Sequence, residues 1–365
     1  MKLKRVLKWS VGIILLALVA WVEVAYWTST NDCGHTAAPN TPMKAIVYCD
    51  YGLTNLKLQD IEKPTPNDDQ ILVKVRAASV NPYDWHFVEG TPKIMRMMGV
   101  GLRKPKDTRL GVDFAGTVEA VGKNVTQFKP GDDVFGGRGG AFAEYVCRRA
   151  EGAVALKPAN VTFEQAASVN IAGITALQAL RDKGKIQPGQ KVLINGASGG
   201  VGTFAVQIAK SFGADVTGVC STRNVDLVRS LGADHVIDYT KEDFAKGSER
   251  YDLIFDCVGN HSLLACRGVL NPNGTYIIVG GPTGRWMIGF LVLLITALVL
   301  SRFVSQKLVM VPAKPSKEDL TIMHELMKSG KVTPVIDKRY KLSEVPEAIR
   351  YLEKGRARGK VVITL

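Results

Sequence analysis

Gly196-Ala197-Ser198-Gly199-Gly200-Val201-Gly202 is the segment of this 365-residue chain whose residue types and spacing point most directly to chemistry. It follows the apolar run Val192-Leu193-Ile194, which reads as a buried strand. An apolar helix is predicted after it, from Thr203 to Phe212. Strand, glycine turn and helix together are what a dinucleotide requires. Gly199 lets the backbone approach a pyrophosphate, and Gly202 lets the helix pack against the strand. The helix N-terminus offers free N–H groups and a positive dipole end to the phosphates. Ala197 stands at the first glycine position of the usual pattern, giving the form A-x-G-x-x-G. A plain tight turn is the competing reading.

The strand after this unit, Asp215 to Cys220, is followed by Ser221-Thr222-Arg223-Asn224. NAD-binding proteins place an acid there to hold the ribose 2′-hydroxyl. Here no carboxylate repels a 2′-phosphate, and Arg223 can pair with one, so NADP is favoured. The alternative is that Arg223 is a solvated residue at the start of a helix.

These residues need a scaffold. From Gly173 the pattern alternates helix and strand, as in a doubly wound sheet, with strands expected at 191–195, 216–220, 235–239, 253–257 and 276–279. Ahead of it lie short β-like runs at 44–49, 71–77, 114–121 and 141–147, separated by turn signals such as Lys129-Pro130-Gly131-Asp132. Beyond Pro315 come an amphipathic helix near 317–329, a second helix at 345–354 and a closing strand at 360–365.

The formal charge of +13 is spread along the chain without interleaved aromatic platforms. Nucleic acid is therefore excluded as a partner, and an anionic cofactor and a membrane surface account for the charge. The six cysteines form no C-x-x-C pair, and Cys220 and Cys257 fall in core strands, so most are expected to be buried thiols. Trp9 to Trp27 is apolar and follows Lys2, Lys4, Arg5 and Lys8. It is long enough to span a bilayer, and no small-x-small site follows it, so an uncleaved transmembrane anchor is expected, with residues 28–42 as linker. Trp286 to Leu300 is shorter and interrupts the nucleotide domain, which suits a buried or interfacial helix against membrane or a partner subunit. The side of the membrane stays open. The basic flank places everything after the anchor outside the cytoplasm, whereas reduced dinucleotide is normally held inside cells.

The chain from Met43 to Leu365 resembles the medium-chain dehydrogenase/reductases, and within them the zinc-free quinone oxidoreductase (zeta-crystallin-like) branch. The resemblance is carried by Ser79-Val80-Asn81-Pro82-Tyr83-Asp84-Trp85, Gly111-Val112-Asp113-Phe114-Ala115-Gly116, Lys129-Pro130-Gly131-Asp132-Asp133-Val134, Gly140-Ala141-Phe142-Ala143-Glu144-Tyr145, the glycine unit through Lys210, and Gly359-Lys360-Val361-Val362. It implies an α/β fold: a Rossmann domain at 170–311 beside a GroES-like β-rich domain at 43–169 completed by 312–365, both behind the anchor at 1–42. Zinc relatives take their metal through Cys, His and Cys. The matching positions here are Asn81, Val112 and Ala172, none a zinc ligand, so no metal is expected.

What remains is direct hydride transfer from NADP(H) to a quinone or an α,β-unsaturated carbonyl. The family's tyrosine proton donor has no counterpart, because its position reads Gly90-Thr91-Pro92. Solvent protonation of a hydroquinone is then the simplest route, with Tyr83 as the nearest tyrosine that could either reach substrate or pack in the core. By resemblance Asn81 meets substrate or nicotinamide ribose, Asp84 braces its loop, and Thr175, Val258 and Gly280 lie near the nicotinamide. Lys360 reaches the pyrophosphate, and Tyr239 stacks near adenine or caps a strand. The basic, Met-rich loop Met95-Arg96-Met97-Met98 either covers an apolar substrate, touches lipid headgroups or simply packs. The alternative to an enzyme is a non-catalytic NADPH-binding membrane scaffold or redox sensor, and a homodimer is left open. A short-chain dehydrogenase is rejected, since no Tyr-x-x-x-Lys pair occurs.

Overall fold

Val192, Leu193 and Ile194 are wholly buried because their strand, Lys191–Asn195, lies inside a parallel sheet covered on both faces. That six-stranded sheet runs His235–Asp238, Asp215–Cys220, Lys191–Asn195, Tyr251–Asp256, Leu270–Ile278, Lys307–Met310. The strand order reverses beside Lys191–Asn195, which is the switch point where ligands bind in such sheets. This is a computed structural model, and it describes residues 38–280 and 305–365, together with Ala20, Glu23, Val24, Tyr26, Trp27 and Cys33.

The second layer system is largely antiparallel. Its seven-stranded sheet has Gln70–Val80 at the centre, paired with Asp113–Val121, with Tyr145–Arg149 and with the C-terminal strand Lys360–Thr364. Val361 pairs with Val80, so the end of the chain is stitched directly beside Asn81. Strand Ile336–Lys341 then adds parallel to Lys360–Thr364. Pro42–Val47 and Lys57–Glu62 form a separate hairpin.

The two systems share one core. Ala77, Ala115 and Phe135 of the β-rich part pack with Ile174, Leu177, Phe204 and Ile208 of the nucleotide-type part. The helices Ala172–Gln178 and Gly202–Ser211 carry those residues. A shared core of this kind joins the two sheets through buried apolar contact.

Several strands were not expected from the sequence. Lys57–Glu62 and Ile336–Lys341 are polar and mostly exposed, and Lys307–Met310 is a sheet edge. Edge strands carry little hydrophobic signal because only one face, or none, is buried. Four cysteines are free, as expected of most of them, with Cys220 and Cys266 buried. The other two correct the reading, because Cys33 and Cys49 form a disulfide across a sequence separation of 16. Such a pair leaves no C-x-x-C signature.

Among the described residues no helix is long and apolar enough to cross a membrane. The expected anchor, Trp9 to Trp27, lies mostly outside the described residues, and Trp286 to Leu300 lies wholly outside them. Ala20, Glu23, Val24, Tyr26 and Trp27 are helical.

Candidate active site

The glycine turn is shaped by backbone contact. Gly196 has φ +85°, a conformation that favours glycine. A Cβ on Gly202 would stand 2.1 Å from the Gly196 carbonyl oxygen, so the first turn of helix Gly202–Ser211 can close only on glycine. Gly280 is fixed in the same way against the Cys257 carbonyl, at 2.1 Å. Gly199 and Gly200 differ. A Cβ there would meet nothing closer than 3.4 Å, so their backbone faces open space above the helix N-terminus. The amides of Gly196 and Ala197 donate to the Val219 carbonyl and that of Gly199 to the Gly196 carbonyl, so a phosphate held here would be bound by the other N–H groups of the turn.

The ribose side is polar and partly satisfied. Asn224 Nδ2 donates to Ser198 Oγ (2.9 Å) and to Ser221 Oγ (3.2 Å), while Asn224 Oδ1 is buried without a partner. Arg223 Nη2 donates to the Arg356 carbonyl at 2.7 Å, and its side chain is otherwise exposed. Tyr239 is 61 % exposed at the end of strand His235–Asp238. The carboxylate that does stand near, Asp238, is already bonded by Thr222 Oγ1 (2.6 Å) and Thr240 Oγ1 (2.8 Å), and the Thr222 hydroxyl, first among its partners, holds its pKa down at about 2.

The second part of the site is a buried polar cluster. Asn81 precedes helix Pro82–Glu89 and is 1 % exposed. Its Nδ2 donates to Asp113 Oδ2 (2.9 Å), and its Oδ1 accepts from Lys360 Nζ (2.6 Å). Asp113 is fully buried and also accepts from Ser79 Oγ (3.0 Å), Asn170 Nδ2 (3.0 Å) and the Ile171 amide (3.2 Å). Lys360 Nζ lies 3.7 Å from that carboxylate. Asp84 caps the helix, accepting from the Asn81 amide (2.8 Å) and the Gly111 amide (3.0 Å). Burial pushes the Asp84 carboxyl up to about 7 and lowers the Lys360 ammonium, for desolvation disfavours both charges.

Turn and cluster meet. Gly359 donates its amide to the Ser198 carbonyl at 2.9 Å, and the Lys360 Cδ lies 3.4 Å from where a Gly200 Cβ would stand. Only the aliphatic stem of Lys360 therefore lies beside the turn. Its ammonium is turned away from the place expected for a pyrophosphate, drawn to Asn81 and Asp113 by the lack of other compensation in the interior. Thr175 joins the same network: its hydroxyl donates to the Ile171 carbonyl (2.7 Å), one residue from Asn170. Val258 is 43 % exposed and its Cγ2 lies against the Gly196 position. Tyr83 sits on the outer face of its helix, 42 % exposed and stacked on Phe87 with centroids 3.9 Å apart. Burial, with Asp84 and Asp107 nearby, raises its phenol to about 12, which makes it a poor acid.

Sequence reasoning missed Asp113, Asn170 and Asn224 as members of the site. It also missed a second buried network, in which Asp256 accepts from Asn195 Nδ2 (2.9 Å), from the amides of Val258 (2.8 Å) and Gly259 (2.9 Å), and from the Tyr276 hydroxyl. The available signal was a polar residue ending an apolar strand. Among the described residues no three His, Cys, Asp or Glu side chains come together as a metal-binding group. A separate surface depression of about 710 Å³, lined by Asp132, Lys157, Asn160, His324 and Lys328 among others, shares no residue with either cluster.

This geometry matches known proteins. The sequence matches the family descriptions "alcohol dehydrogenase GroES-like domain" over residues 67–158 and "zinc-binding dehydrogenase" over residues 231–363. It is 36 % identical over 337 residues to the 2-methylene-furan-3-one reductase of Solanum lycopersicum, covering 88 % of this chain and 79 % of that one. The chain is a medium-chain dehydrogenase/reductase. Another member, the NADPH-dependent alkenal/one oxidoreductase of Arabidopsis thaliana, is 35 % identical over 337 residues, covering 88 % and 79 % of the two chains. The structure of the quinone oxidoreductase from Coxiella burnetii superposes with a TM-score of 0.77 at 32 % identity, covering 89 % of this chain and all of that one. As a member of this superfamily the chain is an NAD(P)-dependent oxidoreductase, and the Rossmann and GroES-like parts expected of it are both present.

Proposed function

We propose that this oxidoreductase uses NADPH, without zinc, to reduce a quinone or an α,β-unsaturated carbonyl compound. One observation carries the reading. At Asn81, where zinc relatives place a ligand, the amide oxygen is occupied by a buried ammonium at 2.6 Å and the amide nitrogen by Asp113. A dication at that oxygen would face the Lys360 charge across a few ångströms of low-dielectric interior. The other matching positions, Val112 and Ala172, are buried and offer no ligand atom.

Bound NADPH supplies a hydride, which an acceptor with a conjugated carbonyl can take because the electron pair is delocalised onto oxygen. The protein's share is binding, orientation and exclusion of water. The turn Gly196 to Gly202 would hold the pyrophosphate. Ser198, Ser221 and Arg223 would meet the ribose phosphate, where Arg223 would favour NADPH over NADH by charge pairing, and Tyr239 would flank the adenine. Thr175, Val258 and Gly280 would border the nicotinamide. Asn81, whose amide is held by Lys360, Asp113 and the Ser79 carbonyl, would fix the loop that borders acceptor or ribose, and exposed Tyr83 would be the nearest tyrosine to the acceptor. The weak acidity of Tyr83 favours water as the source of the proton. Membrane attachment through Trp9 to Trp27 completes the reading, and alkaline carbonate extraction should leave the full chain in the membrane pellet.

The test is oxidation of NADPH by the full chain across a panel of short-chain quinones and enones, with and without chelator. Acceptor-dependent oxidation that chelator leaves unchanged is expected. Tight NADPH binding with no turnover of any acceptor, or loss of activity on chelation, would overturn the assignment.

A further inference from the structure

The loop after helix Pro82–Glu89 carries large apolar side chains and cations together. Ile94 and Met97 are 40 % and 54 % exposed. Arg103 and Lys106 are exposed on the same loop, with two acids at it: exposed Asp107, and Asp50, which lies 3.8 Å from Lys104. The described end of the amino-terminal apolar stretch arrives at this loop. The Trp27 ring, 68 % exposed, lies 5.4 Å from the Arg103 guanidinium carbon, and Tyr26 packs edge-on against it with centroids 5.7 Å apart. Six residues on, Cys33 is disulfide-bonded to Cys49. Two residues past Cys49, Tyr51 carries Arg96 over its ring at 3.9 Å and donates its hydroxyl to the Gly101 carbonyl. The described end of that stretch thus touches the loop at Arg103, and Cys33 is tied to Cys49, two residues from Tyr51, which holds the loop through Arg96 and Gly101.

The loop also closes the helix that follows Asn81. Arg96 donates to the carbonyls of Glu89 (2.9 Å) and Gly90 (2.8 Å), closing the helix whose first residues follow Asn81. Exposed Tyr83 belongs to the same helix.

We propose that residues 93–106 form a bilayer-contact surface, seating Ile94 and Met97 among acyl chains and Arg103 and Lys106 among anionic headgroups, so that the acceptor is a lipophilic quinone or enone drawn from the membrane. Exposed apolar and basic side chains on one loop suit an anionic lipid surface. The surface itself stands independently, while the nature of the acceptor rests on the reductase reading above.

The test reconstitutes the full chain into phosphatidylcholine vesicles containing photoactivatable phosphatidylglycerol and maps lipid adducts by mass spectrometry. Adducts are expected on peptides spanning 93–106 as well as on 9–27, and the double substitution Ile94→Glu, Met97→Glu should reduce the former about tenfold or more. Adducts confined to 9–27, or protein–protein cross-links joining this loop to a second copy in place of lipid, would overturn the surface. In the same vesicles NADPH oxidation is followed with an isoprenoid-tailed quinone dissolved in the bilayer and with a short-chain soluble quinone. The double variant should lose about tenfold on the first and less than about twofold on the second, since short acceptors arrive through water. Equal losses on both acceptors in the double variant would overturn the acceptor inference. Failure of the unsubstituted protein on both would instead remove the reductase reading, and the lipid adducts would still decide the surface.

Discussion

The glycine turn and the Asn81 cluster lie side by side at Gly359 and Lys360 but are built on opposite principles. The turn is seven consecutive residues whose shape depends on missing side chains, above all at Gly202, where a Cβ would stand 2.1 Å from a carbonyl oxygen. The cluster draws Ser79, Asn81, Asp113, Asn170 and Lys360 from distant parts of the chain and depends wholly on side chains satisfying one another in a dry interior. A turn of this kind can fail in binding while the fold survives. A buried network of this kind fails in stability first, because each lost partner strands a charge or a donor.

That difference can be broken deliberately. Asp113→Ala should have the largest effect, about 3–5 kcal/mol of lost stability, as it strands the Lys360 ammonium and several donors. Chemical denaturation would read this directly, and a loss under about 1 kcal/mol would show that the cluster is not the interior keystone described here. Gly202→Ala comes next. The clash is with backbone that cannot step aside, so about 1–3 kcal/mol of strain is expected together with loss of NADPH binding by calorimetry. A variant that binds NADPH normally would refute the role given to the turn. Arg223→Ala should weaken NADPH about tenfold, a single exposed charge-assisted pair, and leave NADH affinity unaltered. Equal losses for both cofactors would remove the 2′-phosphate from the account.

A last effect concerns pH. The folded carboxyl of Asp84 is held up at about 7 against an ordinary value of 3.8, chiefly by burial. The folded state therefore keeps that proton when the unfolded chain has released it. The resulting stability is fully present below pH 4 and fades as pH rises through 7. Melting temperatures of the unsubstituted protein and Asp84→Asn, compared between pH 4 and 8, should show the former losing ground to the latter as pH rises. A constant difference would mean that Asp84 titrates normally.

The same contrast explains what the sequence disclosed. The turn was legible because its residues are adjacent and its glycines have local reasons to be glycine. The strands around it were legible as runs of buried Val, Leu and Ile, whereas Lys57–Glu62 and Ile336–Lys341 hid behind charged residues at exposed positions. Asn81 and Lys360 could be singled out only through resemblance, and their mutual bond could not, because strand pairing of Val361 with Val80 is what brings them together. Asp113 lay inside a quoted motif, yet its neighbours in the chain gave no hint of its partners. The Cys33–Cys49 disulfide escaped for the same reason.

The most direct measurement follows the hydride itself. NADPH deuterated at the transferring C4 position would be mixed with the full chain, an enone and chelator, and the product examined by mass spectrometry and NMR. One deuterium per turnover at the β-carbon of the saturated product is the predicted result. Product formed without deuterium at that carbon, or only when zinc is restored, would contradict the account.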